Sequence, residues 1–425
     1  MSSREWIERD AAVIWHGFTQ MAAYADNAPV IVDHAEGRWL IDVDERRYFD
    51  AISSLWVTTL GHRVPELDRA LTEQLGRMAH TTMLGNGNTA TVELGEALAP
   101  RVPLESPHFL FASDGASAVE QALKIAFQFW VNRGERGRQA YLAFGGAYHG
   151  DTVGSLSLGG AGFGTDLFDP LRFPVLRAPG FDDPDCLETA AKLVRDHADE
   201  LAAVVIEPLV QGAAGIRVQP AESFDILGEA CRDTDVLLIV DEVATGFGRT
   251  GTLFGIEQTS LRADLMCLGK GITGGYLPLS ATVAAGHVYE EFLGEDLGPR
   301  TLYHGHSYGG NALAAAVARR HLELLDEWDV LSNVRERGLD LQQELEKLAA
   351  HPLVREVRQT GLMAGVELYS GERRGRRVAA ACVRRGVLIR PLGDVVVIMP
   401  PLTTTSDEIR LIGRTMREAL DEVGA

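Results

Sequence analysis

The chain has 425 residues, 46% hydrophobic and 24% charged, with 60 acidic against 40 basic side chains and a formal net charge of -20. That length exceeds one typical domain and can bury a large core, and the acidic balance argues against nucleic acid and anionic membrane as partners, since both would repel the surface. Four cysteines lie far apart with no C-x-x-C spacing, so neither a disulfide framework nor a metal site is expected, and a reducing compartment fits.

At the N-terminus, Met1-Ser2-Ser3-Arg4-Glu5-Trp6 lacks the apolar core of a signal peptide, and no run approaches the roughly 18 apolar residues that span a bilayer; a cytoplasmic protein is expected. From there short apolar runs alternate with longer helical patterns, the signature of an α/β protein with a largely parallel sheet. Strands are expected at 108–113, 140–144, 201–207, 236–243 and 263–268. Between the first two, Val119, Ala122, Leu123, Ala126, Phe127 and Trp130 recur at spacings of three and four, one apolar helical stripe for the core. Residues 371–377 read as an exposed basic loop. Near the C-terminus 386–390 and 395–399 read as short strands around Pro391-Leu392-Gly393-Asp394, pointing to a second, smaller α+β domain. The division expected is an N-terminal segment 1–60 joining the small domain, a large domain 61–325 and a small domain 326–425.

Only four lysines stand among thirty-six arginines. Lys124, Lys192 and Lys347 sit among helix formers on polar faces. Lys270 instead closes the apolar run that starts at Asp264 and opens a glycine-rich loop, where an ammonium would be partly desolvated, its pKa lowered and its amine freed to attack a carbonyl. Standing alone it would read as a solvated loop lysine; with its neighbours it reads as a Schiff-base lysine, chemistry that usually belongs to pyridoxal phosphate. Ser113-Asp114-Gly115-Ala116 leads from a strand into a helix, as a phosphate cradle requires, although a plain helix cap at Ser113 or Asp114 has the same pattern. Asp241 ends an apolar run and can hold a pyridinium nitrogen protonated. A nucleotide-hydrolase acid is the rival there, but it needs G-x-x-x-x-G-K-[ST], and Gly269-Lys270 is followed by Gly271. The glycine patterns 246–251 and 85–90 do not sit between a strand and the helix of a first βαβ unit, which argues against a dinucleotide site. His304-Gly305-His306 reads as a turn rather than a metal pair, and Tyr148 offers an aromatic ring at a sheet edge.

In their order Gly115-Ala116, Tyr148, Glu207, Asp241 and Lys270 resemble the class III aminotransferases, a pyridoxal phosphate family of transferase fold type I. The resemblance covers nearly the whole chain. Within the family, Trp15-His16-Gly17-Phe18-Thr19, Ser53-Ser54-Leu55-Trp56, Tyr148-His149-Gly150-Asp151, 241–251, 270–275, His304-Gly305-His306-Ser307 and Arg390-Pro391-Leu392-Gly393 resemble the branch that aminates 8-amino-7-oxononanoate in biotin synthesis. The resemblance implies that Lys270 bonds the cofactor, Asp241 pairs with its ring nitrogen, Gly115 and Ala116 bind its phosphate, and Tyr148 and Glu207 contact the cofactor, Tyr148 also lining the substrate site. It further implies a homodimer with shared sites, in which Gly305, His306 and Ser307 reach the neighbouring subunit. Phe18, Leu55, Trp56 and Arg390 are implied as substrate contacts, Arg390 taking a remote carboxylate. Members that use S-adenosylmethionine tend to carry paired tryptophans, Tyr-Thr and Pro-Thr-Phe; here stand Leu55-Trp56, Phe18-Thr19 and His306-Ser307-Tyr308, which resembles the lysine-using subgroup. The alternative within the family is an ω-amino acid or amine:pyruvate aminotransferase.

Overall fold

The computed structural model describes residues 1–160 and 165–424. Its centre is a seven-stranded sheet built from β4 (His108–Ala112), β5 (Ala140–Phe144), β6 (Leu176–Ala178), β7 (Leu201–Ile206), β10 (Leu237–Asp241), β11 (Leu265–Leu268) and β12 (Ser280–Ala284), in the order β4-β12-β11-β10-β7-β5-β6. β12 runs against its neighbours β4 and β11; the other pairings are parallel. β7 and β10 are buried along their whole length, as a strand covered on both faces requires, which is why each reads as a continuous apolar run.

Three other sheets frame this one. β1 (Val32–Glu36), β2 (Trp39–Asp42) and β3 (Arg47–Asp50) form a meander to which β15 (Val387–Leu388), from the far end of the chain, adds in parallel beside β3. β13 (Val354–Thr360), β14 (Met363–Leu368), β17 (Val395–Ile398) and β16 (Arg390–Leu392) form an antiparallel sheet in that order, and β8 (Val210–Gln211) pairs with β9 (Arg217–Val218) as a small hairpin. The 386–390 run is therefore not one strand: it divides at Ile389, and its halves join different sheets. Pro391 and Leu392, read from the sequence as lying between the two strands, continue the second half, paired with Val396 and Val395.

The helix Gly115–Arg133 starts on an Asp114 cap, whose carboxylate accepts from Ser117 N at 2.9 Å, and stops at Gly134, left-handed at φ 85°. The expected stripe is its buried face with one exception. Val119, Ala122, Leu123, Ala126 and Trp130 are buried, but Phe127 is 42% exposed; Ile125 and Phe129 take the place assigned to it. At 100° per residue Phe127 falls just beyond the edge of the arc centred on Ala122 and Ala126. A second correction concerns 371–377. Arg374–Arg384 is a helix, its arginines outward and Gly375, Val378, Ala379, Ala381 and Cys382 buried, and Gly375 is required because a Cβ there would stand 2.3 Å from the Gly393 carbonyl oxygen. Among the described residues no helix is long and apolar enough to cross a membrane.

Trp130 fills the layer beneath the sheet with no exposure, and its Nε1–H donates to the Ala202 carbonyl at 2.8 Å. Trp130→Ala is expected to cost about 3–5 kcal/mol as a buried aromatic truncation, whereas Phe127→Ala three residues earlier should cost about 1 kcal/mol or less. Urea denaturation midpoints of the two variants check the difference.

Candidate active site

The parallel strands all point their carboxyl ends at one edge of the sheet, where open α/β sheets place their ligands. Asp241 is the last residue of β10, Glu207 follows β7, Lys270 stands two residues past β11, Tyr148 and His149 follow β5, and Gly115 and Ala116 follow β4. Residues far apart in the chain thus meet around one cleft of about 540 Å³, whose wall also includes Trp56, Asp151, Ala213 and Val243.

Lys270 opens the short turn Lys270–Thr273 at φ 42°, a left-handed value uncommon outside glycine. Burial lowers its pKa from the ordinary ammonium value, with the charges of Asp241 and Glu207 pulling the other way. Its Nζ stands 5.4 Å from the ring centroid of Trp56, within cation–π range. Trp56 is itself held at φ 66° at the end of a segment in which Ser53 and Ser54 are also left-handed, at 50° and 62°. Asp50, wholly buried, accepts from Ser54 N at 2.7 Å, Ser53 Oγ donates to the Met399 carbonyl at 2.7 Å, and the buried Arg249 guanidinium reaches Ser53 Oγ. These bonds compensate backbone strain of the order of 1–3 kcal/mol per residue.

Asp241 is buried, and its two oxygens are oriented by different partners. Oδ1 accepts from Val243 N at 2.9 Å and Oδ2 meets His149 Nδ1 at 2.7 Å. Burial alone would lower the His149 pKa, but the Asp241 bond and the charges of Asp241 and Glu207 outweigh it and hold the imidazole above its usual value. Glu207 accepts from Tyr148 N at 3.2 Å and Gly212 N at 3.1 Å; burial pushes its carboxyl up to about 7, against the pull of His149. The Tyr148 hydroxyl donates to Asp151 at 2.8 Å and is raised well above its ordinary pKa by burial and that bond, the Arg390 charge acting in the opposite sense.

The donor set fits pyridoxal phosphate. At the head of the 19-residue helix Gly115–Arg133 the backbone is bare: a Cβ on Gly115 would meet Val243 Cγ1 at 2.6 Å, so only glycine lets the helix end approach this closely. Amides at such an end favour a phosphate, the buried Asp241 carboxylate suits a protonated ring nitrogen, and Lys270 supplies an amine for the aldehyde. Asp114 is also the helix cap, so the two readings of 113–116 coexist.

A model of the class III aminotransferases matches residues 20–420. The chain belongs to the class III aminotransferases. It is similar to an adenosylmethionine-8-amino-7-oxononanoate aminotransferase of Nitratidesulfovibrio vulgaris, 44% identical over 97% of this chain and 80% of the relative. A crystal structure of the enzyme of that name from Methanocaldococcus jannaschii superimposes with a TM-score of 0.96 at 37% identity over 99% of both chains. The ω-transaminase of Pseudomonas jessenii in complex with PMP matches with a TM-score of 0.93 at 26% identity over 98% of both chains. The protein is thus a pyridoxal phosphate-dependent transaminase of α/β fold, as its sequence led one to expect.

Of the residues singled out in the sequence of this class III aminotransferase, Lys270, Asp241, Tyr148, Glu207, Gly115, Ala116 and Trp56 converge on the cleft. The others do not line it. Phe18 and Leu55 are exposed at 66% and 48%, Arg390 is exposed on β16, and Gly305, His306 and Ser307 lie on a loop held by the same chain, where His80 Nε2 meets the Ser307 carbonyl at 2.7 Å. The His304 and His306 rings are engaged locally, His304 with Lys124 and His306 with Tyr308 N. His149 was missed as a site residue in its own right; its adjacency to Tyr148 after β5 was the available signal. Ala213 left none.

Borohydride reduction of the cofactor-loaded enzyme followed by peptide mapping is expected to label Lys270 and none of the three surface lysines, and Lys270→Ala should abolish turnover with the fold intact by circular dichroism. Because the Glu207 carboxyl rises from 4.5 to about 7 on folding, the folded protein holds a proton that the unfolded chain has lost in that window, and stability must fall as pH rises through it. Melting of the cofactor-free protein between about pH 5 and about pH 8 should therefore decline more steeply for wild type than for Glu207→Gln.

Proposed function

We propose that this transaminase converts 8-amino-7-oxononanoate to 7,8-diaminononanoate in biotin synthesis, with lysine as amino donor. The acceptor rests on one observation above the rest: the chain is similar over nearly its full length to enzymes whose names specify that substrate. Arg390 supports it. Its charge acts on the Tyr148 hydroxyl at the cleft, and a guanidinium on a strand end offers a bidentate fork to the acceptor's carboxylate.

When bound, pyridoxal phosphate supplies an electron sink that makes the donor's α-hydrogen acidic. The chain's own groups do the rest. Gly115 and Ala116 hold the phosphate with backbone amides. Asp241, oriented by Val243 N and His149, keeps the ring nitrogen protonated, while His149 offsets the carboxylate charge from behind. The Lys270 amine, weakened as a base by burial, accepts the α-proton on Nζ and returns it on the other side of the transfer. Trp56 and Tyr148 wall the substrate in and exclude water.

The same reading takes 61–325 as the cofactor-holding domain and 326–425 as a smaller one, which 1–60 joins through the β3–β15 pairing, in a cytoplasmic homodimer. The Ser307 carbonyl is tied to His80 and neither His306 nor Ser307 lines its own cleft, and large side chains at Trp15, Phe18, Leu167, Tyr303 and Tyr308 are left more than half exposed. Apolar surface of that kind suits a second copy.

Two features favour lysine over a sulfonium nucleoside. Leu55 beside Trp56 removes one aromatic face, and cation–π contacts contribute about 0.5–2 kcal/mol; Phe18 lacks the hydroxyl of the Tyr-Thr motif. The relatives' names favour S-adenosylmethionine as the second reading. Single-turnover amination of the cofactor, followed separately with each donor at matched concentration, is expected to be faster with lysine, and faster reaction with S-adenosylmethionine would reject lysine while leaving the acceptor in place. Arg390→Ala should raise KM for the nonanoate strongly and affect the lysine half-reaction less, because the lost contact belongs to one substrate.

A further inference from the structure

Lys270 holds a left-handed backbone, yet what fixes its turn lies outside the cleft. The helix Ala312–Glu327 carries His321, with no exposure, into the space behind that turn. His321 Nε2 meets Thr59 Oγ1 at 2.6 Å. Its Nδ1 is also buried and makes no hydrogen bond, and the ring's Cδ2 lies against Gly274 of the Lys270 turn. Thr59 follows the strained Ser53–Trp56 segment by three residues, and Gly274 follows Lys270 by four, so one imidazole touches both walls of the site from behind.

The fit leaves no room for rearrangement. A Cβ on Gly274 would stand 3.2 Å from His321 Cδ2 and 3.4 Å from Thr59 Oγ1, one on Gly275 would stand 2.9 Å from Thr58 Cα, and one on Gly271 would stand 3.1 Å from Thr59 Cγ2. The turn is laid backbone to backbone on residues 58–59. Burial pushes the His321 pKa down to about 4, so the ring is neutral at working pH and carries a single N–H. Nε2 and the Thr59 hydroxyl can then share a neutral hydrogen bond in either tautomer, so the contact is made without a charge.

We propose that His321 is a positioning residue for Lys270: through its bond to Thr59 and its packing on Gly274 it locks the lysine-bearing turn to the segment that presents Trp56. The proposal rests on Lys270 being the reacting amine. A ring that bridges two walls sets their separation, and the separation decides whether Nζ stands where the proton must be moved, an effect on the chemical step rather than on substrate binding.

Thr59→Val removes the hydroxyl at constant volume, His321→Leu removes the ring and its hydrogen bond, and His321→Gln can keep a hydrogen bond to Thr59. In the donor half-reaction Thr59→Val and His321→Leu are each expected to slow amination about tenfold with little change in donor affinity. Both should weaken cofactor binding to the cofactor-free protein, titrated by absorbance, and the double variant should be no worse than the more damaged single, since both remove one interaction. His321→Gln should recover part of the loss. If His321→Leu does not fold, Thr59→Val carries the test. Unchanged rate and cofactor affinity in Thr59→Val, additive losses in the double variant, or a lower melting temperature with both functions intact would overturn the proposal. The borohydride label is read in parallel: a label on Lys270 with unaffected variants defeats the positioning role alone, and a label elsewhere defeats the reading beneath it.

Discussion

The contact on which the site depends is the buried pair Asp241–His149. A carboxylate at the end of a central strand, removed from water, is costly unless it is paired and hydrogen-bonded. The His149 imidazole meets one of its oxygens and the Val243 amide donates to the other, and their directions fix where the carboxylate looks. Glu207 and Lys270 are buried beside this pair: burial raises Glu207 and lowers Lys270, the charges of Asp241 and Glu207 pull Lys270 back up, and the Asp241 bond and charge hold His149 up against burial. Removing one member would leave an uncompensated charge, which is more damaging than the pair itself is stabilising.

Around that cluster the backbone is forced rather than relaxed. Lys270, Trp56, Ser53 and Ser54 are left-handed without being glycine, and they flank the cleft where a shift of a side chain would change chemistry. The strain persists because Asp50, the Met399 carbonyl and Arg249 hold the first segment, while glycines at 271, 274 and 275 let the second lie directly on residues 58–59. Packing here is used to fix positions, at a cost in local conformational preference that surrounding bonds offset.

Much of this was readable in the sequence for a simple reason: in a doubly covered sheet the strands are continuous apolar runs, and ligands collect at their carboxyl ends, so Asp241, Lys270 and Gly115 announce themselves by following such runs. Local patterns end where tertiary contacts begin. The pairing of His149 with a residue 92 positions away leaves no periodicity, and neither does the choice of β15 to join β3. Phe127 kept the right spacing and missed the core by the edge of an arc, and the arginine-rich 371–377 concealed the first turn of an amphipathic helix because its apolar face begins only at Gly375 and Val378. The positive φ of Lys270 has no residue-type signal at all, lysine being a poor occupant of that region.

The distribution of amines has a further chemical consequence. An aldehyde cofactor is a promiscuous reagent, and in a chain whose basic surface is almost entirely arginine it meets few competing nucleophiles, because a guanidinium does not give up its proton at physiological pH. Of the other lysine amines, Lys124 is engaged with the Tyr303 carbonyl and His304, and Lys347 with Glu344, whereas burial favours the unprotonated amine at Lys270. Selectivity for one attachment point is thus favoured by composition as well as geometry: few side-chain amines compete for the aldehyde, before any shape complementarity in the cleft is considered.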